Sequence, residues 1–473
     1  MGEREYDLIV IGGGAVGENV ADRAVRSGLS AVIVESELVG GECSYWACMP
    51  TKALLRSGIA LRAATSVGGA REAVTGELDV AAVLDRRDRF ASNWDDAAQV
   101  SWMDGVGIDL VRGHGSIVGE REVQVTTDTE TVTLRARHAV AVCTGTSAAM
   151  PDVPGLAEVA PWTSREAASA PAAPQSLAIV GGGVIAAEMA TAFAEFGTQV
   201  TMLVRSRLLS GNEPFAGKLV TTSLTERGVQ IITGVELTRA SRDTDGQVAL
   251  AVSNGETVRA EQVLIATGRA PNTRQLGLES AGLTPGDWIT VDDTMRVPST
   301  DWLYAVGDVN HRALLTHQGK YQARAAGDAI VARATGSPVD QQPWGTHVAA
   351  ADHRSVPQVT FTDPEVASVG LTAAAAERAG LRIRVLDYPI GRVAGASLHA
   401  DGYRGHARAV VDEDRGVLVG ATLVGPDVAE LLHAATVAVV GEVPIDRLWH
   451  AVPAYPTISE IWLRLLEEYG RPT

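Results

Sequence analysis

Residues 6–35 read YDLIVIGGGAVGENVADRAVRSGLSAVIVE, and this stretch decides the fold. Tyr6–Ile11 is a short apolar run ending in glycine, the pattern of a buried parallel strand. Gly12-x-Gly14-x-x-Gly17 follows, then an alanine-rich helical stretch to about Ser27, then a second strand, Ala31–Val34, ending at Glu35. In such a turn the first glycine allows the tight bend, the second lets backbone approach a pyrophosphate, and the third lets helix and strand pack closely. The unpaired N–H groups of the helix N-terminus then face the phosphates. Glu35 lies 23 residues after Gly12, where a carboxylate accepts hydrogen bonds from a ribose. Glycines alone would be weak grounds. Strand, glycines, helix, strand and terminal acid in order predict a dinucleotide-binding unit.

The next segment, Gly40–Leu55, reads GGECSYWACMPTKALL. Cys43 and Cys48 are two of only three cysteines in 473 residues. A regular helix separates residues five apart by roughly 7.5 Å along its axis, whereas a disulfide needs Cα atoms within about 4.4–6.8 Å. If the pair bridges, the chain must enter a helix here through an irregular first turn, and Gly40-Gly41 supplies a flexible approach. At a helix N-terminus Cys48 would have a lowered pKa, because the dipole favours thiolate. Two buried structural thiols are the alternative on spacing alone.

The totals bound the rest. A chain of 473 residues is too long for one core, so about three domains are expected. With 46% hydrophobic and 21% charged residues the composition is that of an ordinary globular protein. Forty basic against 57 acidic residues leave a net charge of −17, which excludes a basic nucleic-acid face. The N-terminal apolar run is too short for a signal peptide, and no run is long enough to span a bilayer, so a cytoplasmic protein is expected. A close cysteine pair there is more often catalytic or redox-sensing than structural. No metal site is expected.

A second unit of the same architecture begins at Ser176–Val180. Gly181-x-Gly183-x-x-Ala186 opens a helix through Phe196, and Val200–Val204 is the next strand. Here Val204 occupies the place of the ribose carboxylate, with Arg205 after it and Arg207 nearby. A 2′-phosphate wants a cation there, so NADPH is expected rather than NADH. Residues 56–100 read as mostly helical, and IDLVRG, REVQVTTD, ETVTLRA and HAVAVCTG between 108 and 145 as short strands. Cys143 in the last reads as a small buried hydrophobe. Strand–glycine ends at 140–145 and 263–268 flank the second unit, which reads as an insertion in the first. Trp302–Asn310, WLYAVGDVN, returns to it, and a third domain follows from about Val356 with strands at 382–388, 406–411 and 417–424.

Together these motifs resemble the flavin-dependent pyridine nucleotide–disulfide oxidoreductases, the family of dihydrolipoamide dehydrogenase, glutathione reductase and mercuric reductase. The resemblance rests on GGGAVG with Glu35, GGECSYWACMPTK, CTGT, GGGVIAAE, ATGRAPN, YAVGD, FTDPEVASVGLT and YPTISE, spread over nearly the whole chain. It implies an α/β protein with two Rossmann-like domains, for FAD and NAD(P)H, and a C-terminal α+β dimerisation domain. The expected limits are 1–153 and 271–345 for the FAD-binding domain, 154–270 for the NAD(P)H-binding domain and 346–473 for dimerisation. It implies that Cys43 and Cys48 cycle between disulfide and dithiol, Cys43 meeting the substrate and Cys48 the flavin. Lys52 matches the lysine beside the flavin and Glu188 its ion-pair partner. Gly12, Gly14, Gly17, Glu35, Thr144, Gly145 and Asp308 fall to FAD. Gly181, Gly183, Ala186, Arg205 and Gly268 fall to NADPH. A homodimer sharing its active site between subunits is implied.

One departure matters. Disulfide-reducing members carry histidine where Tyr455 stands, in a His-Pro-Thr…Glu pattern contributed by the partner subunit; Glu460 keeps the acid. A tyrosine has a pKa near 10 against about 6.5 for histidine and is a poor base at neutral pH. His450, five residues upstream, reads as an ordinary packed or surface residue. Mercuric reductase also has tyrosine here but needs a second cysteine pair near its C-terminus, and no cysteine follows Cys143. The expected activity is therefore transfer from NADPH through FAD to a small acceptor such as a quinone or other electrophile. The alternatives are a disulfide reductase or dihydrolipoamide dehydrogenase-like enzyme for a small thiol, a mercuric reductase-like enzyme, and an FAD-binding protein whose catalysis has decayed.

Overall fold

The computed structural model describes residues 3–127 and 129–471. Residues 1, 2, 128, 472 and 473, at the ends of the expected outer domains and of the run 121–128, lie outside the described residues. The chain divides into two compact units. The first holds the chain through Pro50, Asp88–Ala149 and Arg269–His353; the second holds Thr51–Arg87, Met150–Gly268 and the chain from Arg354 onward.

In the first unit β1 (Glu3–Ile11), β2 (Ala31–Glu35), β3 (Ile108–Arg112), β4 (His114–Gly119), β5 (Glu122–Thr126) and β6 (Thr131–Val142) lie in the order β3-β2-β1-β6-β5-β4. Strand β16 (Leu303–Ala305) pairs with β6 in parallel. β1 is apolar on both sides because both are covered: Leu8 and Val10 enter one core cluster, Ile9 and Ile11 another. Helix α1 (Ala15–Arg26) packs on the first with Val20, Ala21 and Ala24.

Two strand expectations change. ETVTLRA and HAVAVCTG form one 12-residue strand, β6. Its first half alternates buried and open against antiparallel β5, and its last four residues are all buried beside parallel β1. The change of pattern, with Arg137 and His138 at the join, imitates a break. Strand β4 has no counterpart in the expected set because glycine dilutes its alternation. A Cβ on its Gly115 would lie 3.1 Å from Val34 and 3.2 Å from Ile11, so space rather than turn geometry favours glycine there.

The first unit also contains a small antiparallel pair, β7 (Thr146–Ala148) with β15 (Arg269–Pro271). In the second unit β8 (Ser176–Val180), β9 (Gln199–Val204), β10 (Gln230–Thr233) and β14 (Gln262–Ile265) form a parallel sheet in the order β10-β9-β8-β14. Beside it β11 (Leu237–Arg242), β12 (Val248–Val252) and β13 (Thr257–Ala260) make an antiparallel sheet. Toward the C-terminus β17 (Pro357–Thr360), β18 (Glu365–Gly370), β19 (Ile383–Pro389), β20 (His406–Asp412) and β21 (Val417–Gly425) form an antiparallel sheet, β17-β18-β21-β20-β19. Helices Leu432–Val440 and Glu460–Tyr469 cover it through Leu432, Ala435, Ile461 and Leu465. No helix among the described residues is long and apolar enough to cross a membrane.

A four-member ion cluster ties the second unit together. Arg227 donates to Glu195 at 2.9 Å and to Asp363 at 2.5 Å, and Arg62 pairs with the same two carboxylates. Burial alone would raise the Asp363 carboxyl; Arg62 and Arg227 overcome it and hold the group below its ordinary value. A depressed folded pKa means the stabilisation is present above the unfolded pKa, about 4, and is lost as pH falls through the folded value. Replacing Asp363 with Ala leaves two guanidiniums sharing one carboxylate and is expected to cost about 3 kcal/mol at pH 7. Urea denaturation should show that difference at neutral pH and a narrowing gap to the parent below about pH 4.

Candidate functional site

Cys43 and Cys48 form a disulfide with Cα atoms 4.7 Å apart. The helix problem is solved by interruption. Cys43 lies in a five-residue helix, α2 (Gly41–Tyr45), Trp46 breaks it at φ −136°, and α3 (Cys48–Thr65) starts at the second cysteine. The irregularity thus lies before α3 rather than inside its first turn. Gly40 at φ 112° and Gly41 at φ 62° adopt left-handed backbone that disfavours side chains.

Cys48 is the first residue of α3, so its sulfur lies where unpaired N–H groups favour negative charge. Its Sγ is 3.3 Å from Thr316 Oγ1, the first residue of helix Thr316–Thr335. With the sulfurs bonded, the hydroxyl is the donor. Cys143, by contrast, is a buried free thiol whose pKa burial drives well up, out of use as a nucleophile at neutral pH.

The glycines of the first unit leave a cradle. Gly12, at φ 104°, would put a Cβ 2.5 Å from the Cys143 carbonyl, and Gly17 would put one 1.9 Å from the Gly12 carbonyl. A Cβ on Gly14 would meet only Gly41 Cα, at 3.8 Å. Gly14 caps α1 without a side-chain bond, which leaves the N-terminal N–H groups free. Glu35 is held at the end of β2 by the Gly13 and Glu37 N–H groups, both at 2.7 Å. This donor set fits the pyrophosphate and ribose of a dinucleotide such as FAD. Thr144 exchanges hydrogen bonds with Asn272 at 2.9 Å in each direction. Gly145, at φ 66°, faces open space: a Cβ there would meet nothing within 4 Å. Asp308 accepts from Thr146 Oγ1 at 2.8 Å. Burial raises its carboxyl, the Thr146 bond and Arg269 opposing.

In the second unit Gly181, at φ 137°, would drive a Cβ to 2.2 Å from the Ala266 carbonyl, whereas Gly183 has open space. Gly183 caps helix Val184–Glu195 without a side-chain bond, and Ala186 is fully buried behind it. A Cβ on Gly13 would touch Glu35 at 3.2 Å, and one on Gly182 would touch Val204 at 2.7 Å. Val204 therefore occupies Glu35's place with no acceptor to offer. Arg205 follows, exposed, while Arg207 is spent on the carbonyls of Leu209, Ser210 and Asn212. Gly268, at φ 154°, lies just beyond β14.

Lys52 Nζ is 2.7 Å from Glu188 Oε2 and lies 5.1 Å from the Phe361 ring centroid. Glu188 is 2% exposed and also accepts from the Phe361 N–H at 2.9 Å. A buried carboxylate with a cation and a backbone donor is well satisfied. Tyr455 is 77% exposed. Glu460 is buried, its Oε2 has no hydrogen-bond partner among the described residues, and the cation beside it is Arg464 at 3.6 Å. The single chain thus shows no hydrogen bond between Tyr455 and Glu460 among the described residues. His450 is exposed.

Sequence reasoning passed over Thr316, Thr146, Arg269, Glu42 and Phe361. Glu42 adjoins Cys43 and Arg269 lies in the quoted ATGRAPN, so both were open to notice. Thr146 and Phe361 likewise lie in the quoted CTGT and FTDPEVASVGLT, whereas Thr316 carries no local signal, since only the fold brings it to its partner.

The family model for pyridine nucleotide-disulphide oxidoreductases matches residues 6–332, and that for the dimerisation domain of the same family matches 356–465. A mercuric reductase of Staphylococcus aureus is 32% identical over 462 residues, covering 96% of this chain and 81% of the relative. A dihydrolipoyl dehydrogenase of Haloferax volcanii is 30% identical over 483 aligned positions, covering 98% and 95%. Among solved structures, the Cu(II) complex of the HOCl-induced flavoprotein disulfide reductase RclA from Escherichia coli superposes with a TM-score of 0.83 at 23% identity, covering 98% of this chain and 99% of that one. At that identity the likeness is one of fold.

The Thr316 contact generates a test. A hydrogen bond to a thiolate contributes about 1.5–3 kcal/mol, so Thr316→Val should raise the Cys48 thiol pKa by about one unit or more. The pH profile of iodoacetamide alkylation, resolved by peptide mapping after reduction, should shift for Cys48 and not for Cys43.

Proposed function

Since this chain belongs to the pyridine nucleotide-disulphide oxidoreductase family, we propose that it carries electrons from NADPH through FAD to a small electrophilic acceptor such as a quinone, with Cys43–Cys48 a redox-active disulfide that the flavin also reduces. When bound, FAD supplies the two-electron link between nicotinamide and disulfide. The chain's own groups do the rest. Opening the Cys43–Cys48 bond takes up two electrons and two protons and yields two thiols. Cys48, at the N-terminus of α3 and beside the Thr316 hydroxyl, is the one that rests as thiolate. Cys43, on its short helix, is the one that meets a disulfide substrate. Lys52, fixed by Glu188, places a positive charge beside the flavin.

The same reading assigns the remaining residues. Gly12, Gly14, Gly17, Glu35, Thr144, Gly145 and Asp308 hold FAD, in a domain made of residues 1–153 and 271–345. Gly181, Gly183, Ala186, Arg205 and Gly268 hold NADPH in residues 154–270. Residues 346–473 form a homodimer in which Tyr455 and Glu460 complete the active site of the other subunit.

The observation that carries the choice of acceptor is Tyr455. Thiol–disulfide exchange needs a group that holds and returns a proton near neutral pH, and tyrosine titrates about three units too high. An acceptor that takes electrons directly has no such requirement. The relatives named mercuric reductase make Hg(II) a necessary arm of any acceptor screen.

Cys43→Ser separates the readings. Reduction of small disulfides should vanish, while NADPH-dependent quinone reduction stays within about threefold of the parent, under 1 kcal/mol of barrier. Loss of quinone reduction with flavin content intact, or disulfide turnover in the parent faster than quinone turnover, would refute the proposal. Arg205→Glu should lower the ratio of NADPH to NADH efficiency by about tenfold or more, the value of a charge-assisted phosphate contact; an unchanged ratio would remove Arg205 from the site.

A further inference from the structure

Helix α2 carries Cys43 and is held more by packing, through the buried Tyr45 and through Gly41 against Gly14, than by side-chain bonds. Five residues are too few for a helix to persist on its own hydrogen bonds. Tyr45 is buried, but its hydroxyl bonds to the Val39 carbonyl and the Ser44 hydroxyl to the Gly40 carbonyl, both in the same loop. Among the described residues two side-chain links carry α2 itself beyond that loop. One is the disulfide, which reduction removes. The other is Glu42, whose Oε2 accepts from Arg269 Nη2 at 2.5 Å.

Arg269 is itself anchored. It opens β15, in register with Ala148 of β7. Its Nε donates to Thr146 Oγ1 at 2.9 Å and its Nη2 to the Thr146 carbonyl at 2.5 Å. The Thr146 hydroxyl donates onward to Asp308. Arg269 and Glu42 side chains are 15% and 33% exposed, so solvent screens the pair only in part.

We propose that Arg269 is a positioning residue of the redox centre: through Glu42 it keeps the Cys43 helix within bonding reach of Cys48 after the disulfide opens, and through Thr146 it ties that helix to Asp308. The proposal rests on the reading of Cys43–Cys48 as a pair that cycles. Its thermodynamic consequence is direct. A dithiol held in the geometry of its disulfide has a high effective concentration and favours reclosure. Release of α2 gives the open form conformational freedom and shifts the balance toward dithiol.

The test equilibrates FAD-loaded protein with dithiothreitol buffers, in which two electrons and two protons pass from reagent to protein. Free thiols are then trapped by alkylation, and the Cys43 and Cys48 peptides are quantified. Arg269→Lys keeps the charge and loses the planar fork. It should move the dithiol-to-disulfide ratio about tenfold toward dithiol, a potential about 30 mV higher. Glu42→Gln, at a more exposed position, keeps Arg269 on Thr146 and should move the ratio the same way by about threefold. Parental ratios in both variants would overturn the clamp. Failure of NADPH to open the disulfide in the parent would overturn the redox reading instead, since the dithiothreitol titration needs no nucleotide.

Discussion

Two sulfurs five residues apart have to come within covalent reach, and an unbroken helix forbids it. The chain meets this by stopping one helix at Tyr45 and starting another at Cys48, with Trp46 between them. Much else follows. The approach must bend through left-handed glycines. The second sulfur inherits the start of an 18-residue helix and the charge preference that goes with it. The first is left on a fragment too short to hold its own shape. The asymmetry between the two cysteines, one at the start of a long helix and one within a short one, arises from backbone geometry before any ligand is considered.

A second constraint, backbone touching backbone, repeats in both units. At Gly12 and Gly181 the strand end presses against a neighbouring carbonyl so closely that no Cβ fits, whereas Gly14 and Gly183 face open space at a helix start. Close contact sets the turn, and open space at a helix start is a setting that fits a phosphate. The repeat diverges at the third position, Gly17 against Ala186, and at the strand end, where Glu35 and Val204 stand over corresponding glycines.

These features were largely legible in the sequence because they are local. Strand, glycine spacing and helix lie within about thirty residues, and the physics that links them acts over the same range. Legibility failed in two circumstances. In β6 a change of partner halfway along altered the burial pattern, and a single strand looked like two. In β4 glycine served packing, which a reading of turns cannot detect. The site divided likewise. Cysteines, glycines and Glu35 could be named from spacing, whereas Thr316 meets Cys48 across 268 positions and Phe361 meets Glu188 across 173. Contacts of that range have no periodicity to betray them.

Tyr455 and Glu460 lie five residues apart in the sequence, the one exposed and the other buried. A buried carboxylate lacking a hydrogen bond is expensive, yet Glu460 Oε2 has none among the described residues and Tyr455 lies open to solvent. Within a single chain this is an unbalanced arrangement. The chain also carries the family's dimerisation domain over residues 356–465, which includes both groups. Assembly supplies a physical resolution, because a second subunit can cover the tyrosine and change the surroundings of the acid together. On that view the place of Glu460 in an interface, rather than a bond within its own chain, accounts for its burial without a hydrogen-bond partner at Oε2.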